Sequence, residues 1–106
     1  MSPTYEASRR FLRELARLSD DQHDAFLSAK DELIAGLRER PPRFAPRLRI
    51  KRVKGSDDVW ELTWAADGRA TFRYGAQVIT GEAHVLLAAN RLAQHPRRPR
   101  RLRPFP

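Results

Sequence analysis

Apolar positions fall into two helical stripes and then into strand-like alternation. Over residues 5–18, Phe11, Leu12, Leu15 and Leu18 recur at helical spacing, with Arg9, Arg10, Arg13, Glu14 and Arg17 filling most of the rest. Ser19 then predicts an N-cap. Gln22, three residues on, completes a capping box, and Asp20 and Asp21 suit a helix N-terminus. A second helix is predicted from about Asp20 to about Arg38. Its apolar stripe is Ala25, Phe26, Ala29, Leu33, Ile34 and Leu37, and Pro41 and Pro42 stop it. Two such helices joined near Ser19 form a helical hairpin.

Beyond the prolines the period changes to two. Leu48 to Val53 alternates Leu48 and Ile50 with Arg49 and Lys51, and Gly55 to Asp58 reads as a turn. Trp60, Leu62 and Trp64 share one face of the next strand, with Glu61 and Thr63 opposite. In the third, Ala70, Phe72 and Tyr74 oppose Arg69, Thr71 and Arg73. A two-residue Asp67–Gly68 turn mixes these faces. A three-residue turn over Ala66–Gly68 keeps them apart, pairing Trp64 with Ala70, Leu62 with Phe72 and Trp60 with Tyr74, and gives Gly68 a left-handed conformation. A short strand from His84 to about Ala88 follows. The prediction is an α+β domain over residues 1–89, a helical hairpin on one face of a small, mostly antiparallel four-stranded sheet. Residues 90–106 form an Arg/Pro-rich tail, expected to be extended or disordered.

Charge sharpens this picture. The chain has 106 residues, enough for one modest core, and a formal charge of +8. Residues 1–86 carry 15 Lys and Arg against 13 acids, whereas residues 87–106 carry six Arg and no acid. A polyanion partner is indicated by the tail and by a local run in the body, Arg43, Arg47, Arg49, Lys51, Arg52 and Lys54. There is no cysteine, which excludes disulfides and thiolate metal sites. No apolar run reaches the roughly 20 residues of a membrane span, and the N-terminus lacks a signal-peptide pattern. A cytoplasmic protein is expected.

A cationic cluster of this kind binds phosphates and stabilises charge developing at a scissile phosphate. The plain alternative is a solvated strand face. The histidines add little. His23 falls on an exposed helix face, His84 opens the last strand within reach of the basic face, and His95 lies in the tail. No pair has metal-ligand spacing, and there is no nucleophile elbow or glycine-rich phosphate loop, so no metal or cofactor is expected. Trp60, Trp64, Phe72 and Tyr74 share a face with Leu62, so core outweighs base stacking as their role.

The basic strand LRIKRVKG after a helical hairpin, followed by VWELTWAADGRATFRYG with Arg69 opening the strand after the turn, resembles the RelE/ParE toxin superfamily. It is most similar to actinobacterial RelE/HigB-type toxins of type II toxin–antitoxin systems. The resemblance spans about residues 4–86. It implies a ribosome-dependent mRNA endoribonuclease that inhibits translation. It assigns catalytic roles to Arg69, Lys51 and Lys54 and phosphate-backbone contacts to Arg49 and Arg73, and the basic run adds Arg47 and Arg52 as RNA-binding residues. It implies a cognate antitoxin, of helix-turn-helix type, with ribosome and mRNA as further partners, and neither membrane nor small-molecule cofactor. Two alternatives stay open: a ParE-like inhibitor of DNA gyrase, and a non-catalytic RNA-binding or antitoxin-binding relative. The resemblance fails at the C-terminus, where HVLLAANRLAQHPRRPRRLRPFP replaces a strand with further Arg and a late His or Tyr. That departure implies an attenuated site. The Arg/Pro/Ala-rich remainder has the composition that a shifted reading frame produces in GC-rich DNA.

Overall fold

A computed structural model describes residues 2–92. The elements run β1 (Thr4–Ala7), α1 (Arg9–Ala16), α2 (Asp20–Leu37), a 3-10 turn (Pro46–Leu48), β2 (Lys51–Arg52), β3 (Trp60–Ala65), β4 (Gly68–Tyr74) and β5 (His84–Leu92). The strands form one sheet in the order β1-β5-β4-β3-β2, antiparallel except where β1 runs parallel to β5. The class is α+β, as expected, with five strands in place of four.

The extra strand is β1, which lies where the helical stripe seemed to begin. Ser8 divides the two elements. Its hydroxyl accepts the backbone N–H of Phe11 at 3.0 Å, capping α1, and donates to the Ala88 carbonyl at 2.9 Å, fastening the junction to β5. Helix α1 therefore starts at Arg9. Phe11 is buried, Leu15 and Leu18 are partly buried, and Leu12 is exposed, so the stripe is narrower than predicted. The start of α2 matches the prediction. The Ser19 hydroxyl accepts the Gln22 N–H at 3.2 Å and the Gln22 side chain accepts the Ser19 N–H at 2.9 Å.

Both helices cover one face of the sheet, α1 over β5 and α2 over β3. Between them and the strands lie Phe11, Phe26, Ala29, Leu33, Leu37, Leu48, Leu62, Trp64, Ala70, Phe72, Val85 and Leu87, all buried. Phe26 joins the layers, with its ring 5.3 Å from that of Phe11 and edge-on to Trp64 at 6.3 Å. Trp60 is only partly buried.

Two details of the strands differ from the predicted ones. Residues 48–53 are not one strand. Pro46 starts a 3-10 turn, Arg49 caps it in the left-handed conformation (φ 49°), and only Lys51 and Arg52 pair with β3. In the β3–β4 hairpin, Trp60 pairs with Phe72, Leu62 with Ala70 and Thr63 with Arg69. A bulge at Trp64 then brings Ala65 opposite Gly68. The register is shifted by two residues from the predicted one, which leaves every side chain on its predicted face. The bulge absorbs the odd residue, so Gly68 need not be left-handed, and the positive-φ glycines are Gly55 and Gly81. Gly68 answers a different demand. A Cβ there would lie 2.4 Å from the Trp64 ring, so only glycine lets the indole lie across β4.

Candidate nucleic-acid interface

The helices leave the other face of the sheet open. Register assigns Lys51 of β2, Glu61 and Thr63 of β3, Arg69, Thr71 and Arg73 of β4, and Ala89 of β5 to this face. Lys51, Glu61, Thr71 and Ala89 form a row across the sheet. Arg69 and Arg73 flank Thr71 along β4, about 13 Å apart at the usual rise per residue. Such a surface presents cations and hydroxyls to an extended ligand.

Its charges are less free than the sequence implied. Lys51 pairs with Glu61 at 3.8 Å, and Arg73 pairs with Asp58 at 3.6 Å. The Arg69 guanidinium folds back on its own hairpin, where Nη1 donates to the carbonyls of Gly68 (2.9 Å), Ala65 (3.1 Å) and Ala66 (3.3 Å). These contacts fix the position of Arg69 and leave its charge uncancelled. The two ion pairs are exposed enough on their cationic side to be displaced by a phosphate.

The rest of the expected cationic run is dispersed. Arg47 lies on the helix side, bound through Nε at 3.0 Å and through Nη2 to the Glu32 carboxylate of α2. That hydrogen bonding raises its pKa further. Arg52 stacks over the partly buried Trp60 ring at 5.3 Å, on the helix-facing side. Arg49 and Lys54 are exposed at the β2 edge, in the left-handed cap and in the turn after β2. Neither has an ion-pair partner among the described residues. Of the seven expected site residues, Lys51, Arg69 and Arg73 share the open face. Arg49 and Lys54 border it, and Arg47 and Arg52 do not belong to it.

Sequence reasoning missed a buried histidine cluster at the other end of this face. His84 is 5% exposed; Nδ1 lies 2.7 Å from the Thr4 hydroxyl and Nε2 lies 2.8 Å from the Glu6 carboxylate. Thr4 and Glu6 come from β1, so without that strand nothing indicated the cluster. Partial burial beside Trp60 and Phe72 raises the pKa of the Tyr74 hydroxyl.

Three solved structures superpose on nearly their whole length. The archaeal RelE–RelB complex from Pyrococcus horikoshii OT3 matches with a TM-score of 0.61 at 15% identity, over 90% of this chain and 99% of that one. The YoeB/ParE toxin from Agrobacterium tumefaciens matches with 0.59 at 14% identity, over 86% and 99%. The E. coli RelBE toxin–antitoxin complex matches with 0.56 at 18% identity, over 88% and 99%. The chain has the RelE/ParE toxin fold. No family model and no curated protein matches its sequence.

Within the RelE/ParE fold the open sheet face is a rigid platform, since its backbone is set by hydrogen-bonded strands and its far side by the core. Among the described residues no group of three or more His, Asp or Glu is placed to hold a metal. The face offers charge, hydroxyls and positioning. None of the described helices is long and apolar enough to cross a membrane. The Arg/Pro-rich segment after Leu92, including His95, lies outside the described residues, and β5 itself runs past the expected boundary at residue 89.

Proposed function

We propose that this chain is the toxin of a type II toxin–antitoxin pair and that it cuts mRNA bound to the ribosome. Its fold matches toxins solved in complex with antitoxins, and this supports an antitoxin partner here. The observation that carries the reading is the open face, where Lys51, Arg69 and Arg73 surround Thr63 and Thr71 on a rigid sheet. RNA carries its own nucleophile. The ribose 2′-hydroxyl gives its proton to solvent as its oxygen attacks the adjacent phosphorus, the bond to the 5′-oxygen breaks and that oxygen takes up a proton, and a cyclic phosphate forms. A protein need only hold the strand in line and neutralise the charge that develops. Arg69, fixed by the turn carbonyls, stabilises the phosphorane, and Lys51 and Arg73 exchange their carboxylate partners for RNA phosphates. Lys54 and Arg49 extend the phosphate contacts along the β2 edge.

The test is a translating extract supplied with purified protein freed of antitoxin. Ribosome-bound mRNA is cut and free RNA is spared. Arg69→Ala removes most cleavage while ribosome binding persists, because a contact made mainly in the transition state lowers rate more than affinity. Inhibition of DNA supercoiling with intact mRNA would replace this reading with the gyrase one.

A further inference from the structure

Strand β5 contains a residue that its position does not accommodate. Asn90 pairs with Ala70 on the helix-facing side of the sheet, where its neighbours in register are core residues. It is 1% exposed, and both its amide nitrogen and its amide oxygen are buried without a hydrogen-bond partner among the described residues. Its backbone N–H is satisfied, by Glu14 at 2.9 Å, so the misfit belongs to the side chain alone. Two unpaired polar atoms in a core are a large penalty, and they have no counterpart on the same face earlier in the strand, where Val85 and Leu87 are apolar and buried. Asn90 also stands close to the point where the composition changes. From residue 87 onward the chain has six Arg and four Pro and no acid.

We propose that the chain from about residue 87 is translated one nucleotide out of the frame for which this fold is built. The genetic code makes the idea specific at position 90. The last two bases of any Asn codon, joined to the first base of any Arg codon, spell Ile or Thr. Asn90 is followed by Arg91, so the reading one nucleotide later places a β-branched residue of high strand propensity at this buried position, whatever the codons. The same shift changes the open face. Ala89 pairs with Thr71, between Arg69 and Arg73 along β4, and in the shifted reading it becomes Leu, Pro, Gln or Arg according to its third base. A third-base G, common in GC-rich coding, gives Arg. One displacement thus replaces the unpaired amide at 90 by a β-branched side chain and, where the third base at 89 is G, adds a cation to the open face. His84 and Val85 fit their surroundings, so the break lies between Val85 and Asn90.

The full chain tests the core half without reference to activity. Asn90→Ile and Asn90→Leu are compared with the parent by thermal melting. Leu has the branching of Asn, so it controls for the room that Ile needs. A rise in Tm of about 4 °C or more in either variant is expected. A Tm unchanged or lowered in both means that the amide is satisfied, and it overturns the proposal. Sequencing the coding DNA is the second arm: a stop codon in the shifted reading at residue 92, beyond any such break and inside β5, overturns it. The third arm rests on the ribonuclease reading above. Removing one nucleotide between the codons for Val85 and Asn90 gives a repaired chain, expected to bind programmed ribosomes at least tenfold more tightly than the parent. A repaired chain that melts higher but cuts no RNA supports the frame displacement and counts against the ribonuclease. One that melts no higher overturns the displacement.

Discussion

Placing a methyl group on Gly68 tests how the β3–β4 hairpin and the core are joined. Gly68 has ordinary negative backbone geometry, so Gly68→Ala alone would stabilise a chain by about 0.4–1 kcal/mol through the unfolded state. Here the new Cβ would meet Trp64 at 2.4 Å from Cε2, 2.5 Å from Cδ2 and 2.6 Å from Cζ2. To make room the indole would have to shift. It is 6% exposed and wedged edge-on against Phe26. Overpacking of this kind costs about 1–3 kcal/mol, which over most of that range exceeds the entropic gain. The net loss is at most about 2.6 kcal/mol, so at about 4–8 °C per kcal/mol the Tm should fall by up to roughly 20 °C. The decisive measurement is a double-mutant cycle in denaturant with Trp64→Leu. Trp64→Leu should destabilise by less than the about 3–5 kcal/mol of full truncation. In that background Gly68→Ala should become neutral or stabilising, a coupling of about 1 kcal/mol or more. If Gly68→Ala costs the same with and without the indole, backbone conformation rather than the Trp64 contact requires the glycine, and the packing argument fails.

Other outcomes follow from the same structure. Ser19→Ala removes the capping box of α2 and should lower stability by about 1 kcal/mol in urea unfolding; no change would mean that the helix start is held by packing alone. Phe72→Ala, at a fully buried site, should cost about 3–5 kcal/mol, and a variant that melts like the parent would place the core elsewhere. Glu61→Gln releases Lys51 and should tighten binding to RNA at low salt, with the gain fading as salt rises; weaker binding would show that Glu61 itself contacts the ligand. Deleting residues 93–106 removes five Arg and should leave the Tm unchanged while weakening RNA binding mainly at low salt; a fall in Tm would show that the segment packs on the domain.

What could be read from the sequence was what local spacing encodes. The Ser19 capping box, the apolar stripe of α2 and the facing of Trp64, Leu62, Ala70 and Phe72 are all short-range patterns, and the structure keeps them. Strand β1 was invisible because TYEA is too short to carry a period and its partner lies 80 residues away. The glycine at 68 was recognised as necessary for the wrong reason, since the indole above it comes from a bulge that no local pattern announces. The cationic run was legible as composition only. Whether a given Arg faces RNA or a carboxylate depends on the fold, and Glu32, Glu61 and Asp58 reach Arg47, Lys51 and Arg73 from other elements.

The parallel pairing of β1 with β5 also sets an order of events during synthesis. Thr4 meets His84 across 80 intervening steps of chain, and the seam is fastened by the Thr4 and Glu6 contacts to the imidazole. At about 5–20 residues per second, β1 waits about 4–16 s for its partner to be made. The two helices and the β3–β4 hairpin have local contacts and can form meanwhile, whereas the long-range seam closes against a loop-closure cost and comes last. Each new molecule therefore passes through a stage in which Phe11 has its helix but not the strand that covers it.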